Sequence, residues 1–217
     1  MILLIGSEKG GTGKSTLTTN LATIHANNGY DCLLVDTDKQ ASASDWADIR
    51  DENSVQRVPT IQKFGKALTG ELKELSNKYG YIFVDAGGRD SIELRAALLA
   101  ADKVYIPIRP AQFDVWSLGK MVKLIEEARM FNTSLEAFFV INAASTNPKV
   151  KDAEEVREAL ADIEGISVCH SVIKMRRAFE KAPKDGLAVT ELEPPDKDPK
   201  AIEEIMSLYG EIFNDQK

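Results

Sequence analysis

Ile2-Leu3-Leu4-Ile5, running through Gly6-Ser7-Glu8 into Lys9-Gly10-Gly11-Thr12-Gly13-Lys14-Ser15-Thr16, is the stretch that decides the fold. A short apolar run reads as a buried strand, the glycines after it as a tight loop, and the residues from Lys14 onward as the start of a helix. Strand, glycine loop and helix in that order make a cradle for nucleotide phosphates. Gly10, Gly11, Thr12 and Gly13 let backbone N–H groups turn toward phosphate oxygens, and Thr16 belongs to the same binding set. The Lys14 ammonium reaches the β- and γ-phosphates, the Ser15 hydroxyl suits Mg²⁺, and the positive end of the helix faces the same anion. A chance glycine-rich turn is the bland alternative, and it has no need of a strand before it and a helix behind it.

Two further strand ends carry acid groups. Cys32-Leu33-Leu34-Val35 runs into Asp36-Thr37-Asp38-Lys39-Gln40, and Tyr81-Ile82-Phe83-Val84 runs into Asp85, with Ala86-Gly87-Gly88 behind it. In open α/β sheets ligands bind beyond the carboxyl ends of strands, where Lys14, Asp36, Asp38 and Asp85 all fall. Phosphoryl transfer to water needs positioning and charge neutralisation above all, so the groups near the γ-phosphate form the catalytic set. By charge and reach, Asp85 holds Mg²⁺ through a water and Asp36 supports the same metal shell. Helix capping is the competing reading for Asp36 and Asp38, because Asp is a common cap.

A strict Walker A pattern places glycine six residues before the lysine, and here that residue is Glu8. Lys9 instead precedes the paired glycines, giving KGGxGK followed by Ser. This deviant form resembles the ParA/MinD family of ATPases, and Asp36 to Gln40 looks like that family's D-x-D-P-Q switch with Lys39 in place of proline. The resemblance implies an α/β P-loop NTPase with ATP and Mg²⁺ as cofactors. It implies that Asp38 orients the attacking water, and that Lys9 reaches across a nucleotide-sandwich homodimer to the partner's phosphates. It also implies that Asn142, ending the run Phe138-Phe139-Val140-Ile141, hydrogen-bonds adenine; a turn-forming asparagine is the alternative. Asp102 to Pro110 is similar to a family segment and reads as core strand plus loop.

Apolar β-branched runs alternate with amphipathic stretches along the chain, the pattern of a mostly parallel twisted sheet with helices on both faces. The expected strands are 2–6, 31–36, 81–85, 103–107, 136–141 and 166–168. The expected helices are 14–28, 61–79, 91–101, 115–130, 150–162 and 200–213, and the prolines of 193–199 read as a linker. At 217 residues and 43% hydrophobic, the chain suits one domain over 1–217. The loop begins by residue 9, which leaves no room ahead of it for the N-terminal DNA-reading domain of larger ParA proteins, so the resemblance points to the small subclass. No secretory leader or bilayer-length apolar run is legible, which argues for a cytoplasmic protein. Cys32 and Cys169 read as reduced, packed thiols, and His25 and His170 as structural. Trp46 and Trp116 read as packing or interface residues in preference to ligand platforms.

A net charge of −7 argues against broad affinity for nucleic acid. The richest basic stretch is Lys174-Met175-Arg176-Arg177 with Lys181 and Lys184 behind it. Charge pattern alone leaves a solvated helix face and an anion-binding patch level, and the resemblance favours nonspecific DNA binding there. The leading expectation is therefore a nucleoid-associated partition ATPase that works with a ParB-like or other small centromere-binding partner. The main rival is a MinD-like positioning ATPase on a membrane. Its basic C-terminal helix contrasts with residues 201–213 here, which are amphipathic but acidic on the polar side, so no membrane is expected as a partner. An iron-sulfur reductase would need cysteines at the switch regions, and a biosynthetic ligase or kinase would need a substrate motif that is not legible.

Overall fold

A computed structural model describes residues 1–113 and 115–213, without the side chains of residues 112 and 115–117, so the expectation for Trp116 lies outside the described residues. In chain order the elements are β1 (Ile2–Ile5), α1 (Lys14–Asn27), β2 (Cys32–Asp36), α2 (Ser42–Asp51), β3 (Thr60–Gln62), α3 (Leu68–Ser76), β4 (Tyr81–Asp85) and α4 (Ile92–Leu98). There follow β5 (Lys103–Ile108), α5 (Val115–Arg129), β6 (Glu136–Ala144), α6 (Asp152–Ala161), β7 (Ser167–Lys174), α7 (Arg177–Lys181) and α8 (Pro199–Phe213). The seven strands form one sheet in the order β3-β2-β4-β1-β5-β6-β7, and every pairing is parallel.

Central strands covered on both faces must be apolar at every position, and β1 and β2 are buried throughout. The period of two sorts their side chains. Leu4, Leu33, Val35 and Val84 pack with Leu72, Leu94, Ile125 and Leu160 of α3 to α6. Leu3, Leu34 and Phe83 pack with Leu17, Leu21, Trp46, Ile205 and Leu208 on the opposite face. β1 lies between β4 and β5, the place where chain order along the sheet reverses, and the crevice beyond such a strand is where α/β sheets bind ligands.

The expected elements differ from the observed ones where pairing overrides local pattern. Ile61 belongs to β3, not to a helix: Thr60, Ile61 and Gln62 pair with Leu34, Val35 and Asp36, and α3 begins only after Gly65. α2, absent from the expected set, occupies the former gap after the switch. β7 extends to Lys174, because exposed Ser167 and His170, and a polar Ser171 on the buried face between Cys169 and Ile173, dilute the apolar signal. β7 is also an edge of the sheet. Three of its N–H groups are taken by α8: Glu211 accepts from His170 and Ser171, and Glu204 accepts from Lys174. Among the described residues, no helix is long and apolar enough to cross a membrane.

Candidate functional site

The glycine loop leaves the end of β1 and is fastened by its carbonyl groups. Ser7 Oγ and Lys14 Nζ both donate to the Lys9 carbonyl, each at 3.0 Å, and Arg109 donates to the Gly11 carbonyl at 3.0 Å. Asn142 Nδ2, from β6, donates to the Thr12 carbonyl at 2.6 Å. Carbonyls held by these donors are kept from facing an incoming phosphate, which favours the amides doing so. Glu8 explains the departure from the strict motif, since its carboxylate turns to Lys120 of α5 at 3.1 Å. Gly88 fixes the other side of the loop. A Cβ there would come within 2.7 Å of Gly10 N and Cα, so only glycine lets the segment after β4 lie against the loop.

Lys14 is only 7% exposed; burial lowers its pKa, while Asp85 and Asp38 pull it back up. The two paired strand-end aspartates lead different lives. Asp85 is 1% exposed, and beyond the neighbouring Ser15 hydroxyl its carboxylate oxygens have no hydrogen-bond donor. Burial pushes its pKa up to about 7, with Asp36 and Asp38 adding to the rise and Ser15 and Lys14 opposing it. A buried carboxylate short of donors beside Ser15 and Lys14 fits a Mg²⁺ and its waters, which would supply the missing donors and the compensating charge. Asp36 is already hydrogen-bonded: its oxygens accept from the Asp38 N–H and from the Ser44 N–H and Oγ, all at 2.9 Å. Asp36 thus shapes the switch and helps to start α2, the capping alternative, while its Oδ1 keeps acceptor capacity beyond the Asp38 N–H. Asp38 accepts from the Gln40 N–H and lies against Gly87.

Between these parts runs a cleft of ≈ 840 Å³, lined by the glycine loop and by Lys14, Ser15 and Thr16, with Asp38, Gly87 and Gly88 opposite. It continues past Thr19 to Trp46 and Pro183. Among the described residues no group of three or more His, Cys, Asp or Glu side chains is placed to hold a metal by itself. A polyanion bound at the loop, one serine and one buried aspartate are thus the natural metal environment here.

Residues 3–189 match the family model of the CobQ/CobB/MinD/ParA nucleotide binding domain. The chain belongs to this family. It is 25% identical over 212 residues to maintenance of carboxysome distribution protein A of Halothiobacillus neapolitanus, covering 97% of this chain and 95% of that one. It is 26% identical over 239 residues to the sporulation initiation inhibitor protein Soj of Bacillus subtilis, covering 89% and 91%. In fold it superposes on the septum site-determining protein MinD of Pyrococcus horikoshii, complexed with Mg-ADP, with a TM-score of 0.73, 19% identity and coverage of 98% and 95%.

Within this family fold, several residues sit elsewhere than the sequence suggested. Asn142 is 6% exposed, its Nδ2 braces the loop through the Thr12 carbonyl, and it does not line the cleft. Lys9 does not line the cleft either; it borders a small hollow with Ile108, Arg109 and Phe113. The basic stretch is not one helix face. Lys174 ends β7, Arg176 is extended, and only Arg177 and Lys181 lie on the short α7. Arg176 is forked onto Glu204 at 2.6 and 3.0 Å and lies 3.6 Å from Asp198, and Lys181 pairs with Asp196. Arg177 and Lys184 are exposed. Pro183 and Gly88 are site residues that sequence reading did not assign; the pair Gly87-Gly88 behind a strand-end aspartate is the signal that could have found the second.

Proposed function

We propose that the chain is an ATPase of the ParA type that binds ATP with Mg²⁺ and turns it over within a nucleotide-sandwich homodimer. The single observation that carries this is the buried Asp85 carboxylate, short of donors beside Lys14 and Ser15, a deficit that a magnesium-bound triphosphate would fill. Mg²⁺ supplies charge neutralisation on the phosphates. Lys14 leaves the Lys9 carbonyl for the β- and γ-phosphates, Ser15 and Asp85 hold the metal and its water, and Asp38, at the open side of the cleft, orients the attacking water. Lys9, off its own cleft, is disposed to serve the partner's phosphates. The cleft continues from the phosphate loop past Thr16 and Thr19 to Trp46 and Pro183, and on this reading that extension takes the nucleoside end.

The work done with this cycle is partition of DNA, with cargo positioning of the kind named for the Halothiobacillus relative as the second reading. A ParB-like or other small centromere-binding protein stimulates hydrolysis, and the ATP dimer holds nonspecific DNA through Lys174, Arg177 and Lys184, which places the protein in the cytoplasm on the nucleoid. Arg176 and Lys181 shape this surface from within their ion pairs. A membrane reading is disfavoured by α8, whose Ile205, Leu208 and Ile212 are committed to the core. The decisive test is ATP binding and turnover of Lys14→Ala: loss of both supports the site, and unchanged turnover refutes it.

A further inference from the structure

The segment 182–191, which brings Pro183 to the cleft, is gripped by a helix far from it in sequence. Arg50 of α2 is 1% exposed, and its guanidinium is close to saturated, with four of its five N–H groups engaged. It forks onto Glu191 with two bonds of 2.8 Å, donates to the Gly186 carbonyl at 2.9 Å and sends Nε to the Gln56 carbonyl at 2.8 Å. Its guanidinium carbon lies 5.2 Å from the centre of the Trp46 ring, whose Nε1 donates to the Leu187 carbonyl. Glu191 also takes the Ala188 N–H and Asn27 Nδ2. Gly186, at φ 63°, has no space for a Cβ against the Arg50 backbone. Burial alone would raise the Glu191 pKa, but Arg50 and the two further donors outweigh it and keep the carboxylate charged.

Such saturation is more than packing requires. A buried ion pair contributes little net stability compared with apolar residues of the same volume, whereas a planar fork with two extra carbonyl contacts fixes orientation closely. The orientation fixed is that of one side of the cleft, Pro183 on the loop backed by the nearly buried Trp46 of α2. At its other end α2 begins on the Asp36 carboxylate through Ser44.

We propose that Arg50 is a positioning residue: by clasping Glu191 and Gly186 it holds Pro183, backed by Trp46, as one side of the cleft for the nucleoside end of the ligand, leaving phosphate chemistry to the glycine loop. This rests on the reading of the cleft as an ATP site.

The test is Arg50→Lys and Glu191→Gln, each measured for ADP affinity by calorimetry, for KM and kcat with ATP, and for folding by a urea melt. Lysine keeps the charge but loses the fork, and glutamine keeps the shape but loses the charge. The expected result is ADP affinity lower and KM higher by about tenfold, or about 1.4 kcal/mol, with kcat within about twofold. A merely structural role would lower kcat through loss of folded protein and leave the KM of the remainder unchanged. That pattern, or unaltered ADP affinity in a folded variant, overturns the proposal. Should either variant fail to fold, the double variant Arg50→Met with Glu191→Met removes the buried charges together, and full ADP affinity in it overturns the proposal equally. If the unaltered protein binds neither ADP nor ATP, the ATP reading itself has failed.

Discussion

At the scale of the residue, Asp85 ties stability to pH and to metal in opposite senses. Its pKa rises from 3.8 to about 7 on folding, so between those values the folded chain keeps a proton that the unfolded chain releases. Its contribution to stability is therefore present at low pH, falls as pH rises across that window and stays low above it. Asp85→Asn removes the effect: at pH 8 without ligand the variant should be more stable by an amount on the order of a few kcal/mol, and at pH 4 by little. Urea unfolding at the two pH values measures this, and an equal difference at both would contradict it. Magnesium demands the ionised form, so the same variant should lose Mg²⁺-dependent ATP turnover, while in the unaltered protein affinity for Mg-ADP should climb as pH rises toward 7 and level off above it.

Among elements, α1, β4 and α8 are clasped by an aromatic cluster centred on His25. The imidazole stacks on Tyr30 at 4.7 Å, meets Tyr81 edge-on at 4.2 Å, approaches Phe213 at 4.7 Å and hydrogen-bonds the Tyr209 hydroxyl. Burial lowers its pKa to about 4, so the unfolded chain takes up a proton at a higher pH than the folded one does. The resulting stability is fully present above the unfolded value of 6.5 and is lost as pH falls toward 4. His25→Phe should flatten that part of the melting-temperature profile; an unchanged slope between pH 6.5 and 4 would count against the assignment. The sequence announced His25 as structural, but not what it joins, because its ring partners come from distant segments. The same limit ran through the elements. β1, β2, β4 and α1 were legible because continuous apolar runs and a glycine loop leave few alternatives. α2 was not, since its start depends on Asp36 accepting from Ser44, a contact that no local periodicity contains. For the site, the three strand ends and the loop could be read directly, whereas Asn142 could not: an amide at a strand end says nothing of whether it faces a base or a neighbouring carbonyl.

For the whole molecule, the proposed cycle turns on a second copy of the chain. Lys9→Ala should keep ADP binding yet fail to dimerise with ATP, while Asp38→Ala should dimerise and stall before hydrolysis; light scattering with each nucleotide distinguishes them, and normal ATP dimers from Lys9→Ala would refute the sandwich. Dimerisation also doubles a weak basic surface on an acidic protein. Replacing Arg177 and Lys184 together by alanine should lower the log–log salt slope of DNA retention by about 0.9 for each phosphate that is no longer neutralised, with basal ATP turnover preserved. An unaltered slope would move the DNA surface elsewhere. Assembly beyond the dimer meets a different restriction. The glutamates of α8 that accept from His170, Ser171 and Lys174 occupy backbone donors of the last strand, which obstructs pairing with a further strand on that side. A further chain on that side must then be held by side chains against the finished globule, and contacts made there should come apart into intact, folded protein on dilution instead of persisting as cross-strand aggregate.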